Sequence, residues 1–391
     1  MTTAAVTSRA PSFEALLQRP DLAWMGQNTT HLEPPAEVVE ALLDSTRRHE
    51  FQWYAPALGF GELRDLIVAD LGLPGRAAMI TDGAVGGLHH ICTAFAPQLS
   101  RLITTDPGWP WPGRFVQLMG VPVTAVEVYS AAAGYRLSAA ALAEVIEPRS
   151  LLYLIDPLNP LGSSYGRDEL DAIVAVARAA GTVIVHDCTY RHFADGHTLV
   201  AELYPEATLT TYSFSKWLGL AGLRLGAVVG DPALLDRLAA TPSNPLGASI
   251  QAQRAAIAGL AVKDPWLREL RATNRRNQQI VARAVADSGF GHVLVQPSQG
   301  NFLAVDTSGP SGPSGPGWTA DQVCAALLDH DVFIRSGRYQ SPAFGDRFVK
   351  VSTSVPAAWA ERFAAAWATL DPDGPLDPDG PPDPPDRARV S

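Results

Sequence analysis

Lysine is almost missing from this chain. Among 391 residues with a combined Lys and Arg count of 30, only Lys216, Lys263 and Lys350 are lysine. Acidic residues number 40 and the formal charge is -10, a balance that disfavours binding to nucleic acid or an anionic membrane, since either needs a cationic face. Cysteine is nearly as scarce. Cys92, Cys188 and Cys324 are too few and too scattered for a disulfide framework or a structural zinc site, which fits a reducing cytosol. The opening MTTAAVTSRAPSF lacks the apolar core of a secretory signal, and no uninterrupted apolar stretch reaches the length of a membrane span. These absences leave the expectation of a cytoplasmic globular protein that acts on small molecules.

The sequence does carry a regular alternation. Between about 50 and 264, short β-branched runs (RLITTD, PVTAVEV, LLYLID, TVIVHD, TLTTYSF, GAVVG) interleave with amphipathic stretches such as GRDELDAIVAVARAAG. Crossover units of this kind build a mostly parallel sheet with helices on both faces, an α/β fold. Several runs end on polar residues, and in open α/β sheets ligands gather outside the carboxyl ends of the strands. Residues 265–370 read as a smaller α+β domain, joined by an N-terminal arm and helix at 13–49. Residues 1–12 are expected to be flexible and the Pro/Asp-rich tail 371–391 disordered. The Gly-Pro-Ser repeat at 307–318 is expected to be a flexible loop.

The first lysine stands in TYSFSKWLGLAGLRLG, residues 211–226. A phosphate-cradling P-loop needs its glycines before the lysine, and here they follow it. The spacing of Gly219, Gly222 and Gly226 also fails the dinucleotide fingerprint. Ser213-x-x-Lys216 fits the pattern of penicillin-recognising acyl enzymes, but their Ser-Asp-Asn and Lys-Thr-Gly partners are absent. What remains is a lysine at a strand end, beside hydroxyls, a Gly-rich turn and an arginine. Such an amine can condense with an aldehyde while its neighbours hold a phosphate, which suggests pyridoxal 5′-phosphate.

Ser213-x-Ser215-Lys216-x-x-Gly219-x-x-Gly222-x-Arg224-x-Gly226 resembles the cofactor-attachment motif of the class I/II aminotransferases, pyridoxal-phosphate enzymes of fold type I. The resemblance extends over most of residues 20–368. It implies that Lys216 carries the cofactor as a Schiff base and is catalytic, and that Ser213, Ser215 and Arg224 bind its phosphate. Gly83, Ala84 and Val85, in a strand-Gly-helix element, would add backbone N–H groups at a helix N-terminus. Asp187 and Tyr190 match the family's Asp-x-x-Tyr, with the carboxylate on the pyridine nitrogen and the phenol on the 3′ oxygen. Asn159, in PLNPLG, would reach the same oxygen. Trp109 takes the place of the aromatic residue stacked on the ring, with Trp111 as its competitor. Tyr54, in YAPALG, would reach the phosphate of a neighbouring subunit, which implies a homodimer with active sites at the interface.

Other polar residues have plainer readings. His186 and Cys188 share one strand face, with His192 near, but alternation places Asp187 on the opposite face, and a packed histidine is preferred to a metal ligand. His89 and His90 are read as packing or surface residues, and no metal site is expected.

The resemblance departs at one position. Where the family has an arginine that grips the substrate carboxylate bidentately, this chain has Lys350, in FVKVS, which lacks the planar fork. Arg335 is the candidate to supply that fork; Asn28, Thr29, Trp53 and Asn301 are further residues expected near the substrate. The departure leaves two enzymatic readings. One is an aminotransferase acting on an amino acid or amino-acid-like metabolite, possibly placed in specialised metabolism. The other is a lyase for C–S β-elimination, or a decarboxylating deaminase. A non-catalytic sensor domain is a third reading, without the N-terminal DNA-binding module such proteins carry.

Overall fold

The computed structural model describes residues 12–242, 244–308 and 318–372. The greater part of the Gly-Pro-Ser segment, the first eleven residues and nearly all of the acidic tail lie outside the described residues. In chain order the strands are β1 (Ala23–Trp24), β2 (Ala77–Thr81), β3 (Arg101–Asp106), β4 (Val123–Glu127), β5 (Ser150–Ile155), β6 (Val183–Asp187), β7 (Thr208–Ser213), β8 (Gly226–Gly230), β9 (His292–Val293), β10 (Phe302–Asp306), β11 (Val332–Phe333), β12 (Arg335–Ser336) and β13 (Phe348–Ser352).

Seven of them form one sheet in the order β2-β8-β7-β6-β5-β3-β4. β3, β4, β5, β6 and β7 are parallel, while β8 runs antiparallel to both β7 and β2. β2 therefore points the same way as β7, and the carboxyl ends of β2, β3, β5, β6 and β7 meet along one edge. β5, β7 and β8 are buried along their whole length, as strands covered by helices on both faces must be. The helix Arg167–Ala179 shows why the cover holds. Its buried residues, Leu170, Ile173, Val174 and Ala177, recur at the spacing of one helical face. The expected α/β architecture, mostly parallel with helices on both sides, is the observed one.

A four-stranded antiparallel sheet, β12-β13-β10-β9, packs beside it, and β1 pairs with β11. Strand alternation divides β13 between two surroundings. Val349 and Val351 join the apolar cluster of Val281, Phe290, Leu303, Phe363 and Trp367. Phe348, Lys350 and Ser352 take the opposite face, where Phe348 joins the core of the large sheet. Lys350 is thus carried toward the edge where the parallel strands end. Among the described residues, no helix is long and apolar enough to cross a membrane.

Candidate active site

A cavity of about 210 Å³ opens at that edge. Its walls come from strand ends and the segments that follow them: Trp109 after β3, Ile155 at the end of β5 and Asn159 after it, Asp187, Thr189 and Tyr190 at β6, and Ser213, Ser215 and Lys216 at β7. Ala84, Val85 and Leu88, from the helix Gly83–Phe95 that follows β2, close one side, with Arg224 and Ala221.

Lys216 Nζ donates to the Gln27 carbonyl at 3.1 Å. Burial, aided by the nearby Arg224 guanidinium, brings its ammonium from 10.5 down to about 8, against the opposing pull of Asp187. A lysine so placed is partly neutral near physiological pH and able to act as a nucleophile. The Asp187 carboxylate, across the cavity, is held on four hydrogen bonds. Tyr153 OH donates at 2.7 Å, Thr189 N at 3.1 Å, Thr189 Oγ1 at 2.6 Å and Thr211 Oγ1 at 2.9 Å. Tyr153, Thr189 and Thr211 were not identified from sequence. Thr189 stands inside the Asp-x-x-Tyr stretch as its unspecified middle, and the other two are strand residues whose facing only the sheet register reveals.

The residues read from sequence as phosphate-binding also converge. Gly83 has φ +75, and a Cβ there would collide with the Arg224 guanidinium. A Cβ at Gly226 would strike the Ala84 nitrogen and the Tyr212 carbonyl. The two glycines thus let a helix N-terminus, an arginine and the β7–β8 turn approach within contact distance. The N-terminal amides of a thirteen-residue helix, an arginine with no carboxylate partner among the described residues, and the hydroxyls of Ser213 and Ser215 can hold a phosphate there. Trp109 lines the cavity. Trp111 does not; its indole N–H donates to Tyr339 OH at 2.7 Å.

The residues expected near the substrate lie differently. Lys350 and Asn28 are buried and do not line the cavity; each donates to Asn159 Oδ1, at 3.2 Å in both cases. Gln340, for which the sequence offers no signal, donates to the same atom at 2.9 Å. Arg335 is the register partner of Lys350 on β12, and its guanidinium lies over the Tyr339 ring at 4.1 Å. Burial, together with Lys216 and Arg335, pushes the Lys350 ammonium well below its ordinary value. No acid pairs with Lys350 or Arg335 among the described residues. Asn301 Nδ2 donates to the Asn28 carbonyl at 2.9 Å. Trp53 and Tyr54 are 63% and 78% exposed and stand outside this cavity.

The histidines reveal a correction. The group that comes together is His186, Cys188 and His197, not His192, within 4.8 Å of one another. His192 instead packs on Trp217 and faces Asp70. His186 Nδ1 already accepts from the Val200 N–H at 3.3 Å, and its Nε2 faces the buried Asp156 carboxylate at 3.6 Å, the same carboxylate that His197 Nε2 approaches at 3.2 Å.

The profile described as "Aminotransferase class I and II" matches residues 20–366. A histidinol-phosphate aminotransferase of Mesorhizobium japonicum is 29% identical over 360 residues, covering 89% of this chain and 90% of the relative. An aspartate aminotransferase of Geobacillus stearothermophilus is 27% identical over 347 residues, covering 84% and 85%. Among solved structures, the N-succinyldiaminopimelate aminotransferase of Mycobacterium tuberculosis superposes with a TM-score of 0.79 at 23% identity, covering 94% of this chain and 99% of that one. An aspartate aminotransferase variant of Thermus thermophilus gives 0.79 at 21%, again with 94% and 99% coverage. At such identities the structures establish the fold, that of the fold type I enzymes. The chain belongs to the class I and II aminotransferases, whose members use pyridoxal 5′-phosphate, and it is a pyridoxal-phosphate-dependent transferase.

Proposed function

We infer that this class I and II aminotransferase moves the amino group of an amino acid or amino-acid-like metabolite, with Lys216 as its catalytic residue. The observation that carries this reading is the amine of Lys216, brought down to about 8 within a cavity whose other walls offer a carboxylate, an aromatic ring and an anion cradle. That set fits the cofactor group by group. Lys216 suits its aldehyde, Asp187 the pyridine nitrogen, and Trp109 the ring face. Asn159 and Tyr190 suit the 3′ oxygen; Gly83, Ala84, Val85, Ser213, Ser215 and Arg224 suit the phosphate.

When bound, pyridoxal 5′-phosphate supplies an aldehyde that condenses with amines and a ring that draws electrons from the carbon bearing the substrate nitrogen. The protein does the rest. Lys216 Nζ, partly neutral near pH 8, takes and returns a proton at that substrate carbon. Asp187, its carboxylate oriented by four donors, would meet the nitrogen of the ring. Burial pushes the Tyr190 phenol up, so it stays protonated and able to donate. Trp109, Leu88 and Ile155 keep water from the ring.

The substrate acid is assigned to Lys350 and Arg335, which project from paired positions on neighbouring strands and have no acid partner among the described residues. Lys350 is also the sole feature that favours the eliminating or decarboxylating alternative. Single turnover separates the two: a transaminase leaves the amino group on the cofactor, whereas a lyase regenerates the Lys216-bound form. The exposed Phe51, Trp53 and Tyr54 support a homodimer in which Tyr54 reaches the partner's phosphate site. The same reading assigns 50–264 to a cofactor-binding domain and 265–370 to a smaller domain. Three unpaired cysteines support a cytoplasmic location.

The test is the holoenzyme mixed with a panel of amino acids. Loss of the visible band of the Lys216-bound cofactor, with release of the matching keto acid, is the expected result. A cofactor that binds but responds to no amine would overturn the enzymatic reading.

A further inference from the structure

Asn159 Oδ1 receives three N–H donors, from Gln340 Nε2 at 2.9 Å, Asn28 Nδ2 at 3.2 Å and Lys350 Nζ at 3.2 Å. A carboxamide oxygen has two lone pairs, so three donors saturate it, and only oxygen can stand where they meet. The Asn159 NH2 is thereby turned away from them, and Asn159 lines the cavity.

Asn28 Nδ2 also donates to Tyr190 OH at 3.0 Å. With that lone pair taken, the Tyr190 hydroxyl has its own hydrogen to give, and Tyr190 lines the same cavity. One carboxamide therefore orients two neighbours as donors, and Gln340 reinforces the first of them.

Neither orienting side chain is there as inert filling. Asn28 and Gln340 are 1% and 3% exposed, yet Asn28 Oδ1 and Gln340 Oε1 have no hydrogen-bond partner. Asn28 also sits at φ +55, in the left-handed region. Buried amide oxygens without donors are costly, and an apolar side chain of similar size would fill the same volume without that cost. What the amides offer in return is their N–H groups.

We propose that Asn28 and Gln340 are positioning residues for the cofactor, fixing Asn159 and Tyr190 as paired donors to its 3′ oxygen. This rests on the reading of Asn159 and Tyr190 as the groups that meet that oxygen. Two fixed donors stabilise the oxygen as an anion, so the cofactor joined to Lys216 loses its proton at lower pH than it would without them.

The measurement is the pH midpoint of the visible band of the holoenzyme. Gln340→Met removes a donor at nearly constant volume, and Asn28→Gly removes one while suiting the left-handed backbone. Asn159→Ala calibrates the assay and is expected to raise the midpoint by about one pH unit. Gln340→Met and Asn28→Gly should each raise it by roughly half as much, and Gln340→Met should add nothing once Asn159 is alanine. Gln340→Leu, which is uncharged and also presents no donor, should shift it in the same direction and covers the case in which the methionine variant does not fold. If Asn159→Ala moves the midpoint and the Gln340 and Asn28 variants do not, the positioning role is wrong. A Gln340→Met shift that persists unchanged in the Asn159→Ala background overturns it as well. A midpoint indifferent to Asn159→Ala removes the premise that Asn159 meets the cofactor and the proposal with it, leaving Lys216 and the transferase reading intact.

Discussion

The two ends proposed for this site, one for the cofactor and one for the substrate, are assembled by different means. At the cofactor end, five strands of one sheet run the same way and stop together, so that Lys216, Asp187, Asn159 and the Gly83 helix arrive at one edge as a consequence of topology. At the other end, Lys350 and Arg335, proposed for the substrate acid, stand with Asn28 and Gln340; the four come from an N-terminal turn and from strands and turns of the second sheet, and three of them meet on a single oxygen of Asn159. The first end offers strong, separated charges in fixed places. The second is a buried network of amides and one ammonium, with two amide oxygens left unpaired. We expect chemistry common to many substrates at the rigid end, and discrimination among substrates where small polar exchanges alter a network.

Breaking the first end should cost most. Lys216→Ala is expected to abolish covalent attachment of the cofactor, seen as loss of the visible band and of borohydride fixation to the chain, and to lower turnover on the order of a thousandfold. Asp187→Asn keeps the shape but removes the charge; a fall in kcat of about a hundredfold, with cofactor still bound, is the expected outcome in steady-state assays. Retention of wild-type kcat would mean that Asp187 merely packs.

At the second end the effects should be smaller and differently distributed. Lys350→Met should raise KM for an acidic substrate by about tenfold while leaving cofactor binding nearly unchanged, and Lys350→Arg should recover part of that loss by restoring the fork. A kcat defect without a KM change would place Lys350 in the chemistry instead. The smallest effect expected is that of Tyr54→Phe. A few-fold faster loss of cofactor on dilution, with the assembly intact by light scattering, fits a residue that serves a neighbouring subunit.

One comparison is purely electrostatic. The Lys216 ammonium is brought down from 10.5 to about 8 in the folded protein. Between those values the unfolded chain binds a proton that the folded protein does not, so the stability of the cofactor-free protein should rise with pH across that window. Below about pH 8 both states are protonated and the cost of burying the charge is constant. Urea denaturation of wild type and Lys216→Met at pH 7.5 and at pH 10 gives the check. The advantage of the methionine variant should shrink at the higher pH, and an equal gap at both would contradict a depressed lysine.

Many of the residues that line the cavity were legible in the sequence because they fall in compact local patterns. Ser213 to Gly226 is one connection between β7 and β8, and Asp187 with Tyr190 lies at the end of a single strand, so residues close along the chain stay close in the molecule. The same logic failed for Tyr153 and Thr211. They bond Asp187 from neighbouring strands: the register sets Thr211 directly opposite it, and Tyr153, paired with Val185, reaches it from two residues back on β5. His197 replaced His192 in the cluster around His186 for a similar reason: proximity in sequence misled where a loop returned from farther on. Gln340 left no trace at all, since a lone glutamine in a turn has no period, motif or charge by which to be noticed.

The sequence by itself determined that a lysine would stand at one strand end, an acid and a phenol close together at another, and an alternation of strands and helices to carry them, because these depend on residues within a few positions of one another. The direction in which Asn159 turns its amide, the burial of Lys350 against it, and the exposure of Tyr54 were decided only by the tertiary structure. Each depends on groups more than a hundred residues apart or on surface left uncovered, and no local pattern can state what the folded chain will place against a given side chain.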